Sequence, residues 1–175
     1  MVKYSIDFSH SSITFSVKHM MITNVKGVFD SYSAVIEADT LEDLTTAKIA
    51  IEIDVASIST KDQARDNHLV SADFFHADKY PKINFVATTI SKINDQNYNI
   101  IGNLTIKDVM KPITFQATYN GHVQSPWGQD TYAFSASTRI NRKEFRLLYN
   151  AVLESGGLLI SENVDVTIDF QLYPI

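Results

Sequence analysis

Cysteine is absent from the 175 residues. That excludes disulfides, thiolate catalysis and thiolate-bound metal, and it leaves the compartment open. An excess of basic residues is absent too: 15 Lys and Arg stand against 20 Asp and Glu, a formal net charge of −5. A general phosphate-backbone binder carries a basic surface, so the balance argues against nucleic acid as a partner. No stretch approaches the roughly 20 apolar residues of a membrane helix, so stable membrane insertion is not expected. The 6 glycines are scattered through strand-like sequence and none opens a helix, so no phosphate loop is present. Neither G-x-S-x-G nor H-E-x-x-H occurs. The N-terminus, Met1-Val2-Lys3-Tyr4-Ser5-Ile6-Asp7, carries no apolar h-region, and a cytoplasmic location is expected for the chain as it stands.

What is present is alternation. Apolar residues make up 45% and charged residues 20%, which suits a folded globular chain, and one domain spanning 1–175 is expected. Ile13, Phe15 and Val17 alternate with polar neighbours, as do Ile49, Ile51, Ile53 and Val55. The same period of two runs through Ile83–Ala87, Gly102–Ile106, Ile113–Tyr119, Tyr132–Thr138 and Val164–Leu172. With the Val25–Ala38 region this makes about eight strands, each with one dry face and one wet face. Such strands can make a sandwich or a closed barrel, and their length favours a tilted antiparallel barrel, which also removes exposed edges. Phe8, Phe15, Phe29, Phe85, Phe115, Phe134 and Phe170 fall on dry faces. An eight-stranded barrel is just wide enough to be filled by such rings or to hold one small ligand.

Two segments break the alternation. Thr60-Lys61-Asp62-Gln63 reads as a capping box, which predicts a short helix over about 60–70, ended before Tyr80-Pro81. The connection from Asn141 to Ser161 contains Phe145, Leu147, Leu148, Tyr149, Val152 and Leu153, then Gly156-Gly157. It is too apolar for a solvated loop and is expected to fold over one end of the sheet as a long loop or helix.

Chemistry-bearing residues are sparse. No two of His10, His19, His68, His76 and His122 stand at strand spacing i, i+2 or helical spacing i, i+4, so no metal site is expected. Arg65, Asp66 and His68 concentrate charge in the short helix. They could clamp a polar group, but adjacent helix positions do not face one another, and separate structural partners are favoured. Met20, Met21 and Met110 near strand ends suit either an adaptable apolar mouth or ordinary gap filling.

Four motifs together resemble the YceI-like family, known also as lipid- or polyisoprenoid-binding proteins. They are Asp7-Phe8-Ser9-His10-Ser11-Ser12-Ile13-Thr14-Phe15 through His19 with Val25-Lys26-Gly27-Val28-Phe29; Ile58-Ser59-Thr60 leading to Arg65-Asp66-Asn67-His68-Leu69, Ala72-Asp73-Phe74-Phe75 and Tyr80-Pro81; Gly102–Lys107 with Lys111-Pro112-Ile113; and Asn141-Arg142-Lys143-Glu144-Phe145 with Val164–Phe170. Order and spacing match over nearly the full length. Asp108 departs from the pattern, standing where a glycine is expected.

The resemblance implies an all-β, lipocalin-like barrel with a helix beside it, holding a long amphiphile such as a polyisoprenoid or isoprenoid quinone in an apolar cavity. It implies no cofactor, and it implies a possible homodimer. Many similar proteins are secreted or periplasmic, and leaderless members exist. On this reading Phe15, Val17, Phe29, Phe85, Leu104, Phe115, Phe134 and Ile168 line the cavity. Phe74, Phe145 and Leu148 form its mouth, and His68 and Arg142 contact a polar head. The expected function is lipid binding for sequestration, storage or transport. The alternatives are an enzyme acting on a lipid or quinone with His68, Asp66 or Asp73 as acid and base, and a stress-linked scaffold with a filled barrel.

Overall fold

The computed structural model describes residues 1–150 and 159–175. They form β1 (Val2–Ile6), β2 (Ser12–His19), β3 (Thr23–Phe29), β4 (Tyr32–Ala38), β5 (Lys48–Asp54) and β6 (Ile58–Ser59). A helix, α1 (Gln63–Val70), comes next, then β7 (Lys82–Lys92), β8 (Asn97–Ile106), β9 (Val109–Gln124), β10 (Asp130–Asn141) and β11 (Ile160–Pro174).

All strand pairs are antiparallel, and the ladder β1-β4-β5-β7-β8-β9-β10-β11 returns to β1, which makes a closed barrel of eight strands. The three remaining strands are continuations. β2 prolongs β1 past a 3₁₀ turn at Phe8–His10, β3 runs directly into β4, and β6 prolongs β5 past a 3₁₀ turn at Val55–Ser57. β11 is long enough to serve both parts of the first broken strand. Its end pairs with β1 (Leu172 opposite Ile6) and its earlier part with β2 (Ile168 opposite Ile13, Val164 opposite Val17).

The break after β1 is built locally. The Asp7 carboxylate accepts from the Ser9 backbone N–H at 3.1 Å and lies 2.9 Å from the His10 ring nitrogen. The break turns Phe8 out of the strand pattern. The ring is 55% exposed and packs at 5.3 Å on Tyr32, not on a dry strand face as its sequence position suggested.

The capping box also resolves differently. Asp62, not Thr60, caps α1, accepting from the Arg65 N–H at 3.1 Å. The Thr60 hydroxyl instead donates to Asp66 at 2.6 Å, and the Gln63 side chain bonds Asn67. Thr60 is used as a buried hub, which two helix side chains reach because their partner strand lies beside the helix. The turn at Asp108 is accommodated without a glycine there: Lys107 takes the left-handed φ of 58°, and Asp108 bonds the Arg146 guanidinium at 3.0 Å.

The two ends of the barrel differ. The lower end is plugged by the β4–β5 connection. Leu41 and Leu44 are buried there, and the buried Tyr98 hydroxyl donates to the Glu42 carbonyl at 3.2 Å. The upper end carries α1 and the segment that follows β10. That segment opens with a 3₁₀ turn at Arg142–Phe145, and Leu147 behind it is buried. Its continuation through Val152, Leu153 and Gly156-Gly157 lies outside the described residues.

Phe85 is a wall residue whose packing depends on a glycine. Its ring lies against Gly102 on β8, where an added Cβ would stand 2.5 Å from the ring and 2.5 Å from the Val86 carbonyl oxygen. A ring can swing aside but a paired strand backbone cannot. Gly102→Ala is therefore expected to destabilise the fold by about 2–3 kcal/mol, read as a lowered urea midpoint at unchanged m-value.

Candidate functional site

Inward side chains of a barrel compete for one volume, and here they do not fill it. An upper cavity of about 320 Å³ runs from the mouth down to Phe85, Phe115, Ile51 and Ile168. A second void of about 70 Å³ lies beneath, and the same four residues border both. Phe85 and Phe115 meet edge to face with centroids 5.1 Å apart. These two rings, with Ile51 and Ile168, form a floor that divides the interior.

The upper chamber takes its walls from alternate residues of most strands. Phe15 and Val17 come from β2, Val25 and Phe29 from β3, Leu104 and Ile106 from β8, and Val164 and Val166 from β11. Its volume depends on a second close approach. Phe15 stands directly opposite Gly27, and its ring lies on that residue so closely that an added Cβ would be 2.2 Å from Cζ. The ring is flattened against the wall because nothing projects from Gly27.

The mouth is aromatic and polar. His68 from α1 packs edge-on to Phe74 (5.1 Å) and to Tyr149 (4.7 Å), and its Nε2 lies 2.8 Å from an Asp73 carboxylate oxygen. Both side chains of that pair reach solvent. The sequence offered His68 with Asp66 or Asp73 as acid and base and did not distinguish the two carboxylates. The turn after α1 brings Asp73 back beside the helix and so makes it the partner of His68. Asp66, the other candidate acid, is turned away to Thr60, where it accepts from both the backbone N–H and the hydroxyl.

The thirteen residues predicted to contact a ligand divide as follows. Phe15, Val17, Phe29, Phe85, Leu104, Phe115 and Ile168 line the upper chamber, and Phe74, His68 and Arg142 border it nearer the mouth. Phe134 lies below the floor, in the smaller void. Period two gives a residue's face but not its height along the barrel axis. Phe145 is 1% exposed and packs in the core, and Leu148 is 57% exposed on the surface, so neither borders the cavity. Met20, Met21 and Met110 are exposed and do not border it either. Among the lining residues outside that prediction are Leu69, Phe75 and Tyr149, and also Arg65, which the sequence offered as a clamp on a polar group but favoured as a structural residue. Arg65, Leu69 and Phe75 sit on or just after α1, and the helix docking that turns them inward leaves no periodic signal.

Arg142 differs most from expectation. It is 3% exposed, and it donates from Nε to the Ser161 carbonyl at 2.8 Å, from Nη1 to Leu147 and from Nη2 to Ile160 at 3.3 Å. It braces both ends of the segment between β10 and β11. Burial draws its pKa below the usual guanidinium value. Three of its five N–H groups are used in this way. No group of three or more potential metal ligands converges among the described residues.

The YceI-like domain matches residues 4–172. A UPF0312 protein of Staphylococcus aureus (strain USA300) is 36% identical over 165 residues, covering 94% of this chain and 93% of that protein. Among solved structures, the Campylobacter jejuni YCEI protein is 33% identical with a TM-score of 0.78, covering 99% of this chain and 98% of that one. Burkholderia cenocepacia BcnA has the same fold at a TM-score of 0.81 and 23% identity, covering 95% and 98%. So does a polyisoprenoid binding domain from Saccharophagus degradans implicated in plant cell wall breakdown, at a TM-score of 0.72 and 15% identity over the whole of both chains. With the barrel, its hollow upper half and these relatives in agreement, the chain belongs to the YceI-like family.

Proposed function

We propose that this protein binds one long-chain amphiphilic lipid, of the polyisoprenoid or isoprenoid-quinone kind, with the tail in the upper chamber and the head at the mouth. The observation that carries the reading is the cavity itself. Its volume of about 320 Å³ falls within the range of ligand clefts, roughly 300–1,000 Å³. It is apolar from the floor at Phe115 to the ring at Phe29. The Saccharophagus domain of the same fold is described as polyisoprenoid binding, which supports the ligand class.

The energetics suit this use. Each buried CH₂ contributes about 0.8 kcal/mol, so an isoprene unit contributes about 3 kcal/mol before the cost of immobilisation. A tail of a few units supplies affinity with no polar contact. The chamber is closed below by the Phe85–Phe115 floor, so a tail enters and leaves at the α1 end. Binding, not turnover, is the role that such a site serves best: the His68–Asp73 pair is open to water, and among the described residues no Asp or Glu borders the chamber.

The first test is mass spectrometry of an organic extract of the purified protein beside a mock-purified control. A stoichiometric long-chain amphiphile is expected, and an empty extract counts against the proposal. Phe115→Trp raises the floor into the chamber and should reduce co-purified lipid about tenfold, since it removes space for tail carbons. Phe134→Trp enlarges a ring in the lower void and should leave lipid content as in the parent; equal loss in both would place the tail through the whole barrel. Gly27→Ala forces the Phe15 ring off the wall and into the cavity. It should lower lipid content at a stability cost of about 1–2 kcal/mol, with extracted lipid and urea midpoint measured on the same preparation.

A further inference from the structure

We infer that the upper end of the barrel docks on the surface of a lipid bilayer with anionic headgroups, through the β2–β3 hairpin tip Met20-Met21-Ile22. The inference goes beyond the lipid-binding reading, which supplies its purpose but not its geometry. The tip stands beside the cavity mouth. Lys18 and His19, just before it, border the cavity, and the Met20 backbone N–H donates at 2.8 Å to the carbonyl of Leu159, which borders it too. All three tip side chains are exposed, Ile22 to 83%. Leu148 is also exposed, and its neighbours Leu147 and Tyr149 border the same cavity. Apolar residues exposed singly are ordinary, but these are gathered at one opening.

The backbone of the tip runs against its side chains. Met20 and Met21 take left-handed φ values of 54° and 64°, a conformation that favours glycine and asparagine. Two bulky thioethers are held there instead. The turn that holds them is tied: the Thr23 hydroxyl and the Ile22 N–H both donate to the His19 carbonyl, at 3.1 and 3.4 Å. Flexible, polarizable methionines adapt to an irregular apolar medium such as acyl chains.

Charge identifies the partner. The chain as a whole carries a net charge of −5, yet from Phe8 to Phe29 it holds no Asp or Glu, and Lys18 and Lys26 flank the tip, both exposed. Among the described residues neither lysine is in an ion pair. On the adjoining strand β11, Glu162 pairs with Lys143 and Asp165 with Arg139. A second copy docked tip to tip would bring like charges together. An anionic bilayer meets both features, taking the apolar tip below its headgroups and the lysines among them. Docked in this way, the mouth faces the membrane, and a tail passes between bilayer and cavity without exposing its length to water.

The test is co-sedimentation of the purified full chain with vesicles of equal parts phosphatidylcholine and phosphatidylglycerol, beside vesicles of phosphatidylcholine alone. Binding is expected to be tighter on the anionic vesicles. Met21→Gln combined with Ile22→Gln should weaken it about tenfold or more, and Lys26→Gln about fivefold on the anionic vesicles only. These side chains are exposed, so the urea midpoint should not move. The single tryptophan, Trp127, lies in the β9–β10 turn at the opposite end of the barrel and is exposed, so its emission should be unchanged by vesicles. Ile22→Trp in a Trp127→Phe chain should shift to the blue. Failure of the parent to sediment with either vesicle overturns this inference and leaves the cavity and its extracted lipid standing. An empty organic extract with vesicle binding intact overturns the lipid reading and leaves the docking surface standing. Undiminished binding in the Met21→Gln, Ile22→Gln chain, or a blue shift of Trp127, overturns the assignment to this tip. A parent dimer that the same double substitution separates, with no vesicle binding, gives the tip to a second copy and overturns the bilayer.

Discussion

Closure of the sheet through β11 is the constraint from which the rest follows. One 15-residue strand pairs with β10 along its length, with β1 at its end and with β2 before that. The pairing leaves the eight-strand ring without an edge and satisfies its backbone groups internally. Once the ring is closed, its radius is set by strand number and stagger, not by the side chains inside. The interior therefore cannot collapse onto whatever side chains it holds. Either it is filled or it stays hollow, and the choice falls to individual residues.

Those residues fill the lower half and spare the upper. Below, Tyr98, Leu41 and Leu44 close the barrel, and the remaining void is about 70 Å³. Above, two phenylalanines lie against glycines: Phe15 on Gly27 and Phe85 on Gly102. A methyl group at either glycine would push a ring inward. The hollow is thus a consequence of missing Cβ atoms as much as of the rings that line it. The edge-to-face pair of Phe85 and Phe115 then fixes how deep the hollow runs.

The polar residues of the upper end share one arrangement. Thr60 gathers Asp66 and Arg65 from α1, and Arg142 gathers the carbonyls of Leu147, Ile160 and Ser161. Both hubs fasten a covering segment to the rim, and both hold a guanidinium at the cavity. Structural bracing and a charged mouth are here two results of the same hydrogen bonds.

The sequence by itself determined the antiparallel strands with the dry face of nearly every one, and the short helix where that pattern breaks; strand length and the family resemblance pointed to a closed barrel. The strands follow from period-two alternation, which is a local property: β8 alternates between buried and partly buried residues along its whole length. It also determined most of the chamber walls, because an inward face in a barrel is a cavity face. Only the tertiary structure decided height and direction. It put Phe134 beneath the floor, Phe145 into the core and Leu148 onto the surface. It joined His68 to Asp73 and turned Arg65 toward the cavity. These depend on strand stagger around a ring and on how a helix docks across a gap. Such relations join residues far apart in the chain, and alternation along a single strand does not record them.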